Sequence, residues 1–220
     1  VVSGGSARIT TNGRTVTVNQ DSSRAVIDWS SFNVAADESV HFASPSANSI
    51  TLNRIHDSNA SHIDGTLTAN GNVWLVNQNG IIFGQNARVD VSGLIATTAD
   101  IDNDRFMAGD HTFNHAGNSN ATVQNDGSIT VKEAGLAAFV APNVVNNGTI
   151  NAKLAKVHMA SGDTFAVDMY GDGLVSIAVS DNVAKQMVKN TGAINANGGT
   201  VKLTAAAATN IVDTLVSNSG

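Results

Sequence analysis

Ile63-Asp-Gly-Thr-Leu-Thr-Ala69, Val73-Trp-Leu-Val76, Asn77-Gln-Asn-Gly-Ile81, Val89-Asp-Val91 and Gly93-Leu-Ile-Ala-Thr-Thr98 succeed one another with little between them. Apolar residues alternate with small or polar ones (Leu67 and Ala69, Val73 and Leu75, Ile81 and Phe83, Val89 and Val91). A two-residue period belongs to half-buried strands; a helix would repeat every 3.6 residues. Asn or Gly punctuates the stretch every few residues, so it reads as strand, turn and strand again.

The phrase then returns. Asn125-Asp-Gly-Ser-Ile-Thr-Val131, Asn146-Asn-Gly-Thr-Ile-Asn-Ala152 and Asn190-Thr-Gly-Ala-Ile-Asn-Ala196 are variants of one unit. Each is followed by a second apolar strand: Leu136 to Val140, Val157 to Met159 and Val201 to Leu203. Aligning Leu67, Val89, Ile129, Ile150 and Ile194 gives steps of roughly 20 residues or near-multiples of that, the repeat of a strand solenoid. Such a coil holds three short strands and three corners. Neighbouring coils stack about 4.8 Å apart, so inward side chains form ladders. The fold class is therefore all-β, a parallel β-helix of three-stranded coils, in a single domain over residues 1–220.

Composition agrees. Charged residues are 14% of the chain, against about a quarter in an ordinary domain, and 42% hydrophobic content in strict alternation can bury a core. A net charge of −6 with scattered Lys and Arg argues against nucleic acid as a partner. No apolar run is long enough for a membrane span. The absence of cysteine excludes a disulfide scaffold. Val1-Val-Ser-Gly-Gly5 is an unusual natural start, which is expected of a mature or excised segment. The chain also stops without a visible cap, as if the solenoid continued.

Along the chain, residues 7–19 read as a hairpin around a two-residue Asn12-Gly13 turn that closes the first coil. Arg24 to Phe32 and Ser39 to Phe42 continue as strands, with Trp29 and Phe32 as a plug beneath the cap. The repeat lapses twice. Residues 100–120 are longer and more polar than a corner and are expected to form a hairpin folded over one face. In residues 161–189, strands at Thr164 to Val167 and Leu174 to Val179 are expected to pair outside the coil, with Asp181 to Lys189 as a short helix. The four alanines from Ala205 favour helix intrinsically and leave that segment ambiguous.

Chemistry is sparse. Asp100, Asp102 and Asp104 open like a calcium loop, but the sixth position is Arg105 and the twelfth His111, so a solvated acidic loop is expected. His111 and His115 are the only histidines with ligand-like spacing, and they lie in a non-helical segment. Carboxylates sit in corners and excursions (Asp64, Asp126, Asp163, Asp172) rather than clustering as a polysaccharide-cleaving site would require. No catalytic residue, cofactor or metal is expected. Asn77-Gln78-Asn79-Gly80-Ile81 reads as a tight turn in which Gly80 takes a positive φ and asparagine side chains bond the backbone, or else as a recognition element.

At these residues the chain resembles the amino-terminal secretion domain of two-partner-secretion exoproteins, the family of filamentous haemagglutinin and the high-molecular-weight adhesins of Gram-negative bacteria. The likeness is carried by Ala25-Val-Ile-Asp-Trp-Ser-Ser-Phe-Asn33, Ile50-Thr-Leu-Asn-Arg54, Gly71-Asn-Val-Trp-Leu-Val-Asn-Gln-Asn-Gly-Ile-Ile-Phe-Gly84 and the Asn-x-Gly-x-Ile phrases, and it spans nearly the whole chain. The family motif Asn-Pro-Asn-Gly-Ile maps onto Asn77, Asn79, Gly80 and Ile81, with Gln78 replacing proline and leaving the corner less rigid. Asn53-Arg54-Ile55 stands where some members carry Asn-Pro-Asn-Leu, as in the adhesin-like branch.

The resemblance implies a right-handed winding, an amino-terminal cap and extra-helical hairpins at the start of a much larger secreted or surface-bound exoprotein. It also implies recognition, while unfolded in the periplasm, by the periplasmic POTRA-type domains of a partner outer-membrane transporter, with Asn53, Arg54 and residues 77–81 as the motif. Folding would then begin at the surface without ATP. Host surface receptors would be met by the rest of the exoprotein. The rival readings are an adhesin module that itself grips host glycan or haem-carrier protein through residues 100–120, and a polysaccharide-cleaving enzyme.

Overall fold

A computed structural model describes residues 1–169, 171, 173–179, 186–206 and 214–220. The chain winds as a right-handed parallel β-helix with three sheets. Sheet A carries Val2–Gly4, Arg24–Trp29, Ile50–Ile55, Asn72–Asn77, Gly93–Thr97, Leu136–Ala141, Lys156–Ser161 and Thr200–Ala205 in that spatial order. Sheet B runs from Ala7–Asn12 through Arg88–Val91 to Ala193–Asn195, and sheet C from Ser61–Ile63 through Ile81–Phe83 to Thr214–Asn218. Each full coil passes from A to C to B and back to A.

The aligned apolar positions do stack. Val16, Val40, Leu67, Val89, Ile129, Ile150 and Ile194 are register partners down sheet B. The two long intervals, from Val89 to Ile129 and from Ile150 to Ile194, mark where the chain leaves the coil and comes back. Both excursions leave after a strand of sheet A and return at a strand of sheet C.

At the amino end the pairing turns antiparallel. Ala7–Asn12 and Thr15–Gln20 form a hairpin whose second strand opens the parallel stack of sheet B. Val2–Gly4 covers the edge of sheet A in the same sense. The hairpin's loop is Gly13–Arg14, one position later than expected, because Asn12 pairs with Thr15 and so belongs to the strand. The next strand ends at Trp29 rather than Phe32. Phe32 is buried and meets Trp29 edge-on at 5.3 Å, beside the cap.

Two corrections concern the excursions. Residues 100–120 do not fold as a hairpin. Asn103–Ala108 is a short helix closed by Gly109 in the left-handed region, and Thr112–Phe113 pairs antiparallel with Thr164–Asp168 of the second excursion. The Asn103 to Ala108 run lacks β-branched residues and can turn Phe106 inward. Gln186–Asn190, expected within a helix, is instead a strand of sheet C, since its burial alternates and Asn190 continues a ladder described below. Residues 181–185, and the alanines after Ala206, lie outside the described residues. Thr164–Asp168 and Gly173–Ala178 do pair outside the coil as expected.

Both excursions cover the outer face of sheet A, so its middle strands are buried on both sides. Val73 and Leu75 face the interior core, while Trp74 and Val76 face a second core beneath the excursions. Trp74 is fully buried there against Phe106 (5.5 Å), His111 (4.8 Å) and Phe113 (5.7 Å), and Phe113 stacks flat on Phe165 at 4.4 Å.

Candidate functional site

Residues 77–81 form the corner from sheet A into sheet C. Asn77 ends its strand fully buried. Its amide donates to the Asn59 carbonyl and to Ser61 Oγ, both at 3.0 Å, and its Oδ1 accepts the Asn79 backbone N–H at 2.9 Å. That last bond is an Asx turn, which fixes the chain reversal locally. The Gly80 N–H returns to the Asn77 carbonyl at 3.0 Å. Gly80 has φ +116°, and a Cβ there would stand 2.8 Å from the Thr122 carbonyl, so glycine is required twice over. Asn79 Nδ2 donates to the Asp57 carbonyl at 2.8 Å, and Ile81 is buried in the core. The Gln78 side chain stands exposed at the tip, while its carbonyl accepts the Asn118 N–H at 2.9 Å.

Asn53 and Arg54 belong to the adjacent strand, where Ile55 is the register partner of Asn77. Asn53 points inward in the column Ile27, Asn53, Leu75. Its Oδ1 accepts Trp29 Nε1 at 3.0 Å, and its amide donates to the carbonyls of Thr51 and Trp74, so the buried polar group is satisfied.

Arg54 points the other way. Its Nε lies 2.8 Å from both oxygens of Asp100, its Nη1 donates to Asn103 Oδ1 at 2.6 Å, and its Nη2 donates to the Ile101 carbonyl at 2.5 Å. Asp28 lies 3.6 Å away on the coil before. Burial pushes the Asp28 carboxyl up, but hydrogen bonds from Ser3 and His56 and the charge of Arg54 outweigh it and hold the carboxyl below its usual value. Arg54 therefore clamps the foot of the first excursion to sheet A. Arg54, Gln78 and Asn79 line one shallow cleft of about 220 Å³, which brings the two motifs together.

The acidic run is tied into the excursion by its own contacts. Asp100 serves Arg54, and Asp102 accepts from His115 Nε2 at 3.0 Å. Among the described residues no group of three or more His, Asp or Glu side chains gathers as a metal site. His111 packs on Trp74, away from His115's partner. Burial pushes its imidazole below the ordinary value of 6.5, the charge of Arg24 pushes it further down, and Asp110 opposes them.

One device went unread in the sequence. At the corner from sheet C into sheet B, Asn125 donates to Asn146 (2.8 Å), Asn146 to Asn190 (2.7 Å) and Asn190 to Asn218 (2.7 Å), all through side-chain amides. Two residues on, Gly127, Gly148, Gly192 and Gly220 stack so closely that a Cβ on one would meet the backbone of the coil beside it. This is why the recurring phrase is Asn-x-Gly. Asn218-Ser-Gly220 is a further copy of it that could have been found.

A capped solenoid roofed on one sheet by two excursions, with a clamped asparagine corner beside them, defines a roofed parallel β-helix. The profile of the TPS (two-partner) secretion domain matches residues 2–220, and the chain belongs to that family. It is 35% identical over 203 residues to a heme/hemopexin-binding protein of Haemophilus influenzae strain Rd, covering 87% of this chain and 22% of that protein. A second heme/hemopexin-binding protein of Haemophilus influenzae is 34% identical over 93% of this chain and 24% of its own length. The chain thus spans about a quarter of these relatives. The crystal structure of the HMW1 secretion domain from Haemophilus influenzae superimposes with a TM-score of 0.85 at 28% identity, over 93% of this chain and 55% of that one. Membership supports a secretion-directing role in a large exoprotein, export across the outer membrane to the surface or the medium, and an outer-membrane transporter as partner.

Proposed function

We propose that this domain is read by the periplasmic POTRA-type domains of its partner transporter through residues 77–81 together with Asn53 and Arg54, and that the reading precedes folding. The observation behind this is burial. Asn77, Gly80, Ile81 and Asn53 are inaccessible once the coils have stacked, leaving only Gln78 and part of Asn79 and Arg54 at the surface. A partner that reads the whole motif must meet it extended, where the segment can add as a strand to another sheet's edge. Stacking on the amino-terminal cap then proceeds coil by coil as residues emerge, and burial outside draws the chain forward without nucleotide hydrolysis.

The domain acts without catalysis. The binding for which its relatives are named, and any contact with host receptors, falls to the remainder of such exoproteins. Deleting residues 1–220 from the exoprotein should abolish surface delivery, and normal delivery without them would sink the assignment. A binding assay on the transporter's periplasmic domains should favour the denatured chain over the folded one, and Asn77→Ala should weaken binding of the denatured chain. Equal binding of both forms would remove the ordering in time while leaving the partner in place.

A further inference from the structure

A larger cleft, of about 860 Å³, lies on the corner from sheet B into sheet A, away from residues 77–81. Its floor is the amino ends of sheet A strands at Ile50, Asn72 and Leu136, and His111 and Met169 of the two excursions overhang it. Among the described residues, four cations line it, Arg24, Lys132, Lys153 and Lys156, against one carboxylate, Glu133. That is a third of the chain's twelve Lys and Arg, gathered in a protein of net charge −6. Glu133 is already engaged, 3.8 Å from Lys153, and the Lys156 ammonium donates to the Gly171 carbonyl.

Arg24 is the group left over. Its side chain is partly buried and makes no hydrogen bond or ion pair among the described residues, and its Nε is fully shielded from water with no acceptor. The guanidinium packs against the first excursion: a Cβ on Gly109 would stand 3.1 Å from its Nη2. Arginine cannot relieve such a position by losing its proton. Its planar fork fits two oxygens of an oxyanion, and charge-assisted bonds of that kind are the strong ones. Ser46, Ser49 and Ser92 also line the cleft; the first two hydroxyls bond each other at 3.1 Å and Ser92 donates to the Asn70 carbonyl at 2.7 Å, which leaves the Ser92 oxygen as an acceptor for a ligand hydroxyl and the Ser46–Ser49 pair free to exchange one bond for another. The volume is that of a small-molecule site, and the overall negative charge opposes a long polyanion.

We infer that this cleft binds a phosphate ester of a small polyhydroxylated compound, its phosphate on Arg24 with Lys132 and Lys156 beside it and its hydroxyls along the serines. The ester can be free or a lipid headgroup, and the test separates the two. Calorimetry on the folded domain with glucose 6-phosphate should give one saturable site, with inorganic phosphate weaker and glucose silent. Arg24→Gln should weaken binding at least tenfold, and Lys132→Gln by a few-fold. Because Arg24 holds nothing in the free protein, Arg24→Gln should melt no lower than the parent without ligand, and should lose the rise in Tm that ligand confers on the parent.

Co-sedimentation with phosphatidylglycerol vesicles, against phosphatidylcholine alone, reports the lipid source. Binding there that Arg24→Gln abolishes, with glucose 6-phosphate silent, would assign a headgroup. No binding to ester or vesicle at millimolar concentration, equal binding of glucose and glucose 6-phosphate, or binding indifferent to Arg24→Gln would overturn the inference. Should Arg24→Gln fail to fold, Lys132→Gln decides, and unchanged affinity in that variant overturns it as well.

Discussion

At the corner from sheet C into sheet B, Asn125, Asn146, Asn190 and Asn218 hold one another. At the corner of residues 77–81, Asn77 is held by groups unlike itself, the Asn59 carbonyl and the Ser61 hydroxyl, while Gln78 receives an N–H from Asn118. Both corners bury an asparagine completely. In the first, each residue's partner is the same residue one coil later, so the device must repeat in sequence. In the second, the partners are backbone and hydroxyl groups, which leave little mark on sequence. A corner of the first kind is constrained by its own stack; one of the second kind leaves its tip free to be selected for something else.

The sharpest way to break the comparison is to cut the ladder. Asn146→Ala removes the acceptor of Asn125 and the donor to Asn190, stranding two buried amide groups at about 1–3 kcal/mol each. We expect a loss of about 4 kcal/mol, or roughly 8–16 °C in Tm for a domain of this size. Thermal melting would check it. A loss below about 1 kcal/mol would mean that the asparagines are spaced by the coil rather than binding it.

Arg54→Met comes next. It leaves Asp100 with only the Ile101 N–H, and Asp28 with Ser3 and His56 but without its arginine, on an outer face where Arg54 is only 12% exposed and Asp100 21%. Because the site is partly wet and both carboxylates keep other partners, we expect about 2 kcal/mol, less than the roughly 3–5 kcal/mol for breaking a fully buried pair. The effect should be local: hydrogen exchange should quicken in residues 100–115 while the ladder of sheet B stays protected. Uniform quickening would make the clamp part of the solenoid itself.

Within the second corner, Asn77→Ala and Gln78→Ala separate packing from recognition. Asn77→Ala loses the Asx turn and two further bonds and should cost about 2 kcal/mol. Gln78→Ala should stay within about 0.5 kcal/mol, as exposed substitutions do. If the motif is read by the transporter, both should lower secretion in a surface-delivery assay. If only Asn77→Ala does so, its effect on export is one of folding.

These pairs also explain what was legible. The architecture could be read because solenoid contacts link like to like: Leu67, Val89, Ile129 and Ile150 occupy one register position, and the Asn-x-Gly phrases mark one corner. Gly80 was legible because its φ has few solutions. The clamp was not, because Arg54 and Asp100 lie 46 positions apart and their pairing depends on where the excursion lands. The same holds for Thr112–Phe113, a strand only because Phe113 finds Phe165. Trp74 could be seen as part of a strand, but an all-apolar Val-Trp-Leu-Val run does not say what covers its outer face.

The cover over Trp74 should also respond to acid. His111 sits with its imidazole pushed below 6.5, so on acidification the unfolded chain takes up its proton first. The stability His111 contributes is complete above that value and is lost as pH falls through its lower folded value. Comparing Tm between pH 8 and pH 5, His111→Phe should show a shallower decline than the parent. Parallel declines would place the acid sensitivity elsewhere.

The corner from sheet B into sheet A is a third case, and it gives the smallest change in stability expected of a buried corner. Ala134, Leu154 and Gly198 succeed one another there with φ of 62°, 53° and 72°, and the backbone N–H groups of Ala134 and Leu154 reach the next coil at 3.1 and 3.0 Å. The conformation repeats, but the residue does not. A left-handed backbone costs an L-residue roughly 1–2 kcal/mol, whereas glycine adds about 0.5–1 kcal/mol of unfolded-state entropy. Ala134→Gly should therefore stabilise by roughly 0.5–1 kcal/mol, about 2 °C in Tm. Gly198→Ala should destabilise by more than that, because a Cβ there would also stand 2.5 Å from Leu154 Cδ2. If Ala134→Gly is neutral or harmful, the turn is held by its backbone bonds at no strain, and the three corners would differ only in which atoms carry the stacking.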